Sequence, residues 1–240
     1  MSVDMHSFSF TRKRERNRKL LIVFFSIIFV LILLQFVLMY IIRPLFISSS
    51  SMGVQIEKNT AVFILPLDEN RPFFLNTDTV DRGTVVSLKT PEIITKNTFQ
   101  RCIDFITAMF SLQKYKPYEK NPWGDSELYR IIGMPGDTIY INDFIAHIRP
   151  TGASHFLTEF ELSPIDYTVV RQNIPFDWNM SLGVQGMVEN IVLQENEYYV
   201  LCDNRTEYID SRIFGPITGE LIAGRVIMTY FPFNDIAFFE

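Results

Sequence analysis

Residues Leu20 to Ile42 read LLIVFFSIIFVLILLQFVLMYII, with two polar side chains, Ser26 and Gln35, and no charge. As a helix this run extends about 34 Å at about 1.5 Å per residue, enough to cross a hydrocarbon core of roughly 30 Å. No other stretch of the 240 residues is long and apolar enough to do the same, so the chain is expected to span a bilayer once. Arg12, Lys13, Arg14, Arg16, Arg18 and Lys19 precede the run, against Asp4 and Glu15. Beyond it Arg43 is the first charge, and acids then outnumber bases twenty-five to sixteen. The positive-inside rule makes residues 1–19 a basic cytoplasmic tail, 20–42 the transmembrane anchor and 43–240 an extracytoplasmic domain. A cleaved signal peptide has an apolar region of only about 7–15 residues. This run exceeds that, so an uncleaved signal anchor is favoured, although the small residues Ser48–Ser51 follow closely.

The outer part reads as strands. Thr60–Leu67, Gly83–Leu88, Leu128–Ile132, Thr138–Ile141, Glu197–Leu201 and Leu221–Tyr230 are short and rich in β-branched or aromatic residues, and Gly, Pro, Asn and Asp punctuate them. Many short strands without alternating helices predict a mainly β fold of antiparallel sheets. One amphipathic helix is predicted over 98–114, where Phe99, Cys102, Ile103, Ile106, Phe110 and Leu112 recur at three- and four-residue spacing. It packs on the sheet or lies on the membrane, the first being favoured. The aromatic C-terminus, FPFNDIAFFE, reads as a final strand or an interface anchor. Residues 92–124 and 150–186 read as insertions, the second with little regular pattern.

Composition narrows the chemistry. A net charge of −5 argues against a nucleic-acid partner. Cys102 and Cys202 both lie outside the membrane, where one disulfide or two free thiols are equally compatible with their number. There is no CxxC pair and no Cys/His cluster, and His6, His147 and His155 are scattered, so neither a metal site nor a cofactor is expected.

Four segments carry the functional signal. Ser48–Ser51 is a serine run just past the membrane, followed by Met52. Asp81-Arg82-Gly83-Thr84-Val85-Val86 comes next, then Tyr129-Arg130-Ile131-Ile132-Gly133-Met134-Pro135-Gly136-Asp137. The last runs from Asp203-Asn204-Arg205 through Asp210-Ser211-Arg212 to Gly215, with Ile222-Ala223-Gly224-Arg225 trailing. In this order, behind an N-terminal anchor, they resemble the signal peptidase I (leader peptidase) family. That resemblance implies a mainly β catalytic domain that cuts signal peptides from exported pre-proteins at the outer face of the cytoplasmic membrane. It implies that Ser51 is the nucleophile, that the Ser49 hydroxyl and the Ser51 amide hold the oxyanion, and that Asp210 and Arg212 form a structural pair. Its implied partners are pre-protein signal peptides and the lipid bilayer; the residues that bind the substrate are left unassigned.

The chain departs from the family where the base should be. A serine hydroxyl needs a base beside it. The family's lysine falls at Tyr129, and the serine that orients that lysine falls at Tyr208. Gly53-Val54 follow Met52 where a proline is usual, and Cys202 replaces a glycine. His147, His155, Lys89, Lys114 and Lys120 are the candidate substitutes, with solvated or surface roles favoured for both histidines and for Lys89. Two functions follow: a working peptidase with an unusual base, or a catalytically silent homologue that binds signal-sequence-like segments beside another signal peptidase. A cytoplasmic self-cleaving repressor relative is disfavoured by the anchor.

Overall fold

The computed structural model describes residues 5–67, 80–89, 127–171 and 184–239, with positions 97, 99–100, 103–104, 107 and 117–118 between them. Helix α1 spans Met5–Tyr40. It therefore begins well before the apolar run, because the Arg, Lys and Glu residues ahead of that run are themselves good helix formers. Its large apolar side chains from Leu20 to Leu34 are exposed, Ile28 apart, and none is buried in the described fold. A helix apolar on every face and without a protein partner fits a membrane anchor. It stops where the amides of Ile41 and Ile42 both reach the Val37 carbonyl and Pro44 removes the next donor.

The chain enters the first sheet at once. Strand β1 (Arg43–Ile47) pairs antiparallel with β2 (Thr60–Pro66), Arg43 opposite Ile64 and Ile47 opposite Thr60. The larger sheet runs β1-β2-β11-β3-β4-β9-β10. Here β3 is Val85–Leu88, β4 Leu128–Gly133, β9 Glu197–Leu201, β10 Ile217–Thr218 and β11 Ile222–Phe231. A short β12 (Ala237–Phe238) folds back on β11, so the aromatic terminus does supply a final strand. The smaller sheet runs β7-β6-β5-β8, from β5 (Thr138–Asn142), β6 (Ile145–Arg149), β7 (Leu157–Thr158) and β8 (Val188–Val192). Every pairing of named strands is antiparallel.

The six strands read from β-branched runs all form, with ends moved by a residue or two. Two short helices complete the described fold, α2 (Glu159–Leu162) and α3 (Ser211–Phe214). Most of the helix expected over 98–114 lies outside the described residues. Those described within it include helical Phe99, Ile103 and Thr107, whose Oγ1 donates to the Ile103 carbonyl at 2.7 Å.

The apolar core gathers in three adjoining clusters. One contains Met52 and Leu128 with Ile47, Val62 and Val226, so the residue after the serine run is a core anchor. A second fills the smaller sheet around Ile139, Ile148 and Leu193 and reaches Tyr199 and Leu201 of the larger one. A third contains Val86, Ile131 and Val200, with Tyr129 packed against it.

Candidate active site

The serine run leaves β1 and turns at once, and the turn buries it. Ser51 has no exposed surface and Ser49 only 4%. The Ser49 hydroxyl donates to Ser51 Oγ at 3.2 Å, and the amide of Leu128 donates to the same oxygen, also at 3.2 Å. The Ser50 amide donates to the Tyr208 hydroxyl at 2.7 Å. The Ser51 carbonyl accepts from the Asn204 amide at 2.8 Å. The first and last motif segments, with Leu128 immediately before the third, thus meet at one serine.

The local backbone requires the glycine that follows. Gly53 has φ +58°, and a Cβ there would stand 2.9 Å from Val170 Cγ2. A proline cannot adopt that φ, so position 53 itself is closed to it.

The motif residues lock the frame. Arg82 donates to Asp137 at 2.8 Å and to the Ile132 carbonyl, while Asp137 also accepts from the Met134 amide at 2.8 Å. This joins the Arg-Gly-Thr segment to the Met-Pro-Gly-Asp turn. Arg130, almost wholly buried, holds Asp203 through two bonds of 2.9 and 2.5 Å, and also bonds the Gly83 carbonyl and Gln55. Asp210 caps α3, receives Arg212 Nη2 and Nε at 2.8 Å each, and takes the Cys202 amide at 3.1 Å.

Tyr129 stands on β4 opposite Val86, its ring edge-on to Phe214. Its hydroxyl donates to Glu127 Oε2 at 2.7 Å. Burial, then the bond to Glu127, raises its pKa well above the ordinary tyrosine value. It is a neutral phenol and a donor, not a phenolate. Cys202 is a buried free thiol whose pKa burial also pushes up, so it stays protonated beside Leu128. Cys102 lies outside the described residues.

The other candidate bases fall elsewhere. His147 is on β6 in the smaller sheet, stacked on Tyr140 at 4.7 Å, and His155 is exposed beside Ser154. Lys89 is exposed at the end of β3. Lys114 and Lys120 lie outside the described residues. Among the described residues no group of acidic, histidine and cysteine side chains could hold a metal ion.

A family model described as signal peptidase, peptidase S26, matches residues 20–231. The chain belongs to the signal peptidase family. Its expected mainly β architecture and N-terminal apolar helix are those found here. Membership assigns the chain to a serine peptidase class that acts on signal peptides of pre-proteins. No curated protein matches the chain.

Two parts of the candidate site lie outside the motifs. Glu127 precedes the Arg-x-x-Gly stretch and β4, yet its carboxylate accepts the Tyr129 hydroxyl two residues on. Residues 159–170 fall in the insertion of 150–186, read as patternless. There Glu159, buried, takes Arg205 at 2.5 and 3.1 Å and the Tyr167 hydroxyl at 2.6 Å. The Tyr167 ring lies 4.1 Å from the Arg130 guanidinium. Val170 bridges the Asp203–Arg205 segment, donating to the Asp203 carbonyl and accepting from the Arg205 amide, each at 2.9 Å. A Thr158/Glu161 capping box starting α2 was the sequence signal available for this region.

Proposed function

We propose that this protein is a membrane-anchored serine endopeptidase of the signal peptidase I type, with its N-terminus in the cytoplasm and its catalytic domain outside. Its substrates are exported pre-proteins, whose signal peptides it removes. Ser51 attacks the scissile carbonyl and forms an acyl-enzyme, and water then releases the mature chain. The Ser49 hydroxyl and the Ser51 amide hold the developing oxyanion. One observation carries this reading: Ser51 Oγ sits 3.2 Å from both the Ser49 hydroxyl and the Leu128 amide, at the start of the strand that bears the Arg-x-x-Gly-x-Pro-Gly-Asp motif.

The test is cleavage of a pre-protein by the full-length protein in proteoliposomes, compared with Ser51→Ala. Release of the mature chain by the wild type alone supports the peptidase. Absence of cleavage by either protein, with cleavage gained in Tyr129→Lys/Tyr208→Ser, would establish the silent homologue instead.

A further inference from the structure

We propose that Glu127 is the general base for Ser51, and that Tyr129 positions its carboxylate. This inference rests on the peptidase reading and names the group that replaces the lysine. The Leu128 nitrogen that touches Ser51 Oγ is the peptide nitrogen attached to the Glu127 carbonyl. The Glu127 Cα is therefore about 2.4 Å from that nitrogen across the peptide. The Ser51 oxygen lies 3.2 Å beyond it, so the Glu127 Cα is at most about 5.6 Å from that oxygen, a span that a glutamate side chain can bridge to reach the hydroxyl. Glu127 immediately precedes β4, two residues before Tyr129, and the phenol donates to Glu127 Oε2 at 2.7 Å. Tyr129 remains neutral in this setting and orients the acceptor without competing for the proton.

The chemistry closes on these groups. As Ser51 Oγ bonds to the scissile carbonyl carbon, its proton passes to Glu127 and the carbonyl electron pair moves to oxygen. Collapse breaks the C–N bond, and the leaving amine takes the proton from Glu127. The acyl ester then meets water, whose proton goes to Glu127 as its oxygen bonds to the acyl carbon. The proton returns to Ser51 Oγ as the acid departs. A positioned base of this kind contributes roughly 10²–10⁴-fold.

The experiment uses a fluorophosphonate probe, which reports activation of Ser51 independently of pre-protein cleavage. The full-length protein in detergent is labelled as wild type, Ser51→Ala, Glu127→Gln and Tyr129→Phe, each checked for an unchanged thermal melt. Labelling is expected in the wild type, absent in Ser51→Ala, slowed at least 100-fold in Glu127→Gln and slowed several-fold in Tyr129→Phe. Labelling of Glu127→Gln at the wild-type rate would overturn the inference, as would no labelling of the wild type at all. Glu127-dependent labelling without pre-protein cleavage would uphold it while removing the peptidase reading beneath it.

Discussion

The amide of Asn204 donates to the carbonyl of Ser51 at 2.8 Å, across 153 positions of sequence. On either side of Asn204, Asp203 is clamped by Arg130 and Arg205 by Glu159, all four side chains buried. The serine's backbone is thus set by a segment that two buried ion pairs hold in place. Removing one partner strands a buried charge, which costs about 3–5 kcal/mol. Asp203→Ala is accordingly expected to lower unfolding stability by that amount in denaturant titration. A loss below 1 kcal/mol would show that Arg130 finds other acceptors and that the clamp is dispensable.

Gly53 offers a test at the turn itself. Alanine there faces a left-handed backbone cost of about 1–2 kcal/mol, together with the contact 2.9 Å from Val170 Cγ2. The second part disappears in Gly53→Ala/Val170→Ala, while the first remains. The double mutant is expected to be more stable than the sum of its single changes predicts. Strict additivity in denaturation midpoints would refute contact between these residues.

The Ser50 amide and the Tyr208 hydroxyl form a third separable tie, 2.7 Å long. Tyr208→Phe keeps the ring and removes the acceptor, leaving a half-buried donor unmatched at a cost of about 1–3 kcal/mol. If the bond shapes the turn that carries Ser51, probe labelling should slow several-fold while the denaturation midpoint falls. Unchanged labelling with a lowered midpoint would assign Tyr208 to stability alone.

The parts of this molecule legible in its sequence are those whose signal is local. Thr60–Pro66 and Glu197–Leu201 are dense in β-branched or aromatic residues and form strands. β1 is hidden because Pro44-Leu45-Phe46-Ile47 continues the composition of the apolar run before it. The β5–β6 turn is hidden because it places Phe144 at φ 64° beside Asp143 at φ 49°, and a bulky aromatic seldom adopts that region. The motif residues Arg82, Asp137, Arg130 and Asp203 stand out as punctuation, but their pairing across the fold does not. Glu159 and Tyr167 read as loop residues because the partner that buries them, Arg205, lies tens of positions away. Glu127 carries no mark at all until Tyr129 is seen to bond to it.

Three tyrosines, Tyr199 buried and Tyr129 and Tyr167 half-buried, make stability fall in alkali. Burial, the largest cause in each case, raises the pKa of Tyr129, Tyr167 and Tyr199 above the ordinary value. Above about pH 10 the unfolded chain loses these protons while the native state keeps them. The stability they confer is complete below that point and declines as pH rises, with a slope of about 1.4 kcal/mol per pH unit for each such group. Denaturation midpoints should fall more steeply above pH 10 in the wild type than in Tyr199→Phe, whose lost hydroxyl removes one contribution. Equal slopes would mean that Tyr199 ionises as readily in the native state as in the unfolded chain.

Glu159 gathers four hydrogen bonds on one buried side chain. Its oxygens accept Arg205 at 2.5 and 3.1 Å, the Ala146 amide at 2.9 Å and the Tyr167 hydroxyl at 2.6 Å. Glu159→Ala leaves Arg205 charged and buried, and is expected to cost about 3–5 kcal/mol. Tyr167→Phe removes one bond to a charged acceptor, worth about 1.5–3 kcal/mol. Because that hydroxyl has already lost its acceptor in Glu159→Ala, the double mutant should fall short of the summed losses. The effect should also reach the nucleophile, since Tyr167 supports Arg130 and the Val170 bridge holds the segment that bonds the Ser51 carbonyl. Tyr167→Phe is expected to slow Ser51 labelling at a temperature where the protein remains fully folded. An unchanged labelling rate there would confine the 159–170 segment to stability and leave Ser51 positioned by Arg130 and Asp203 alone.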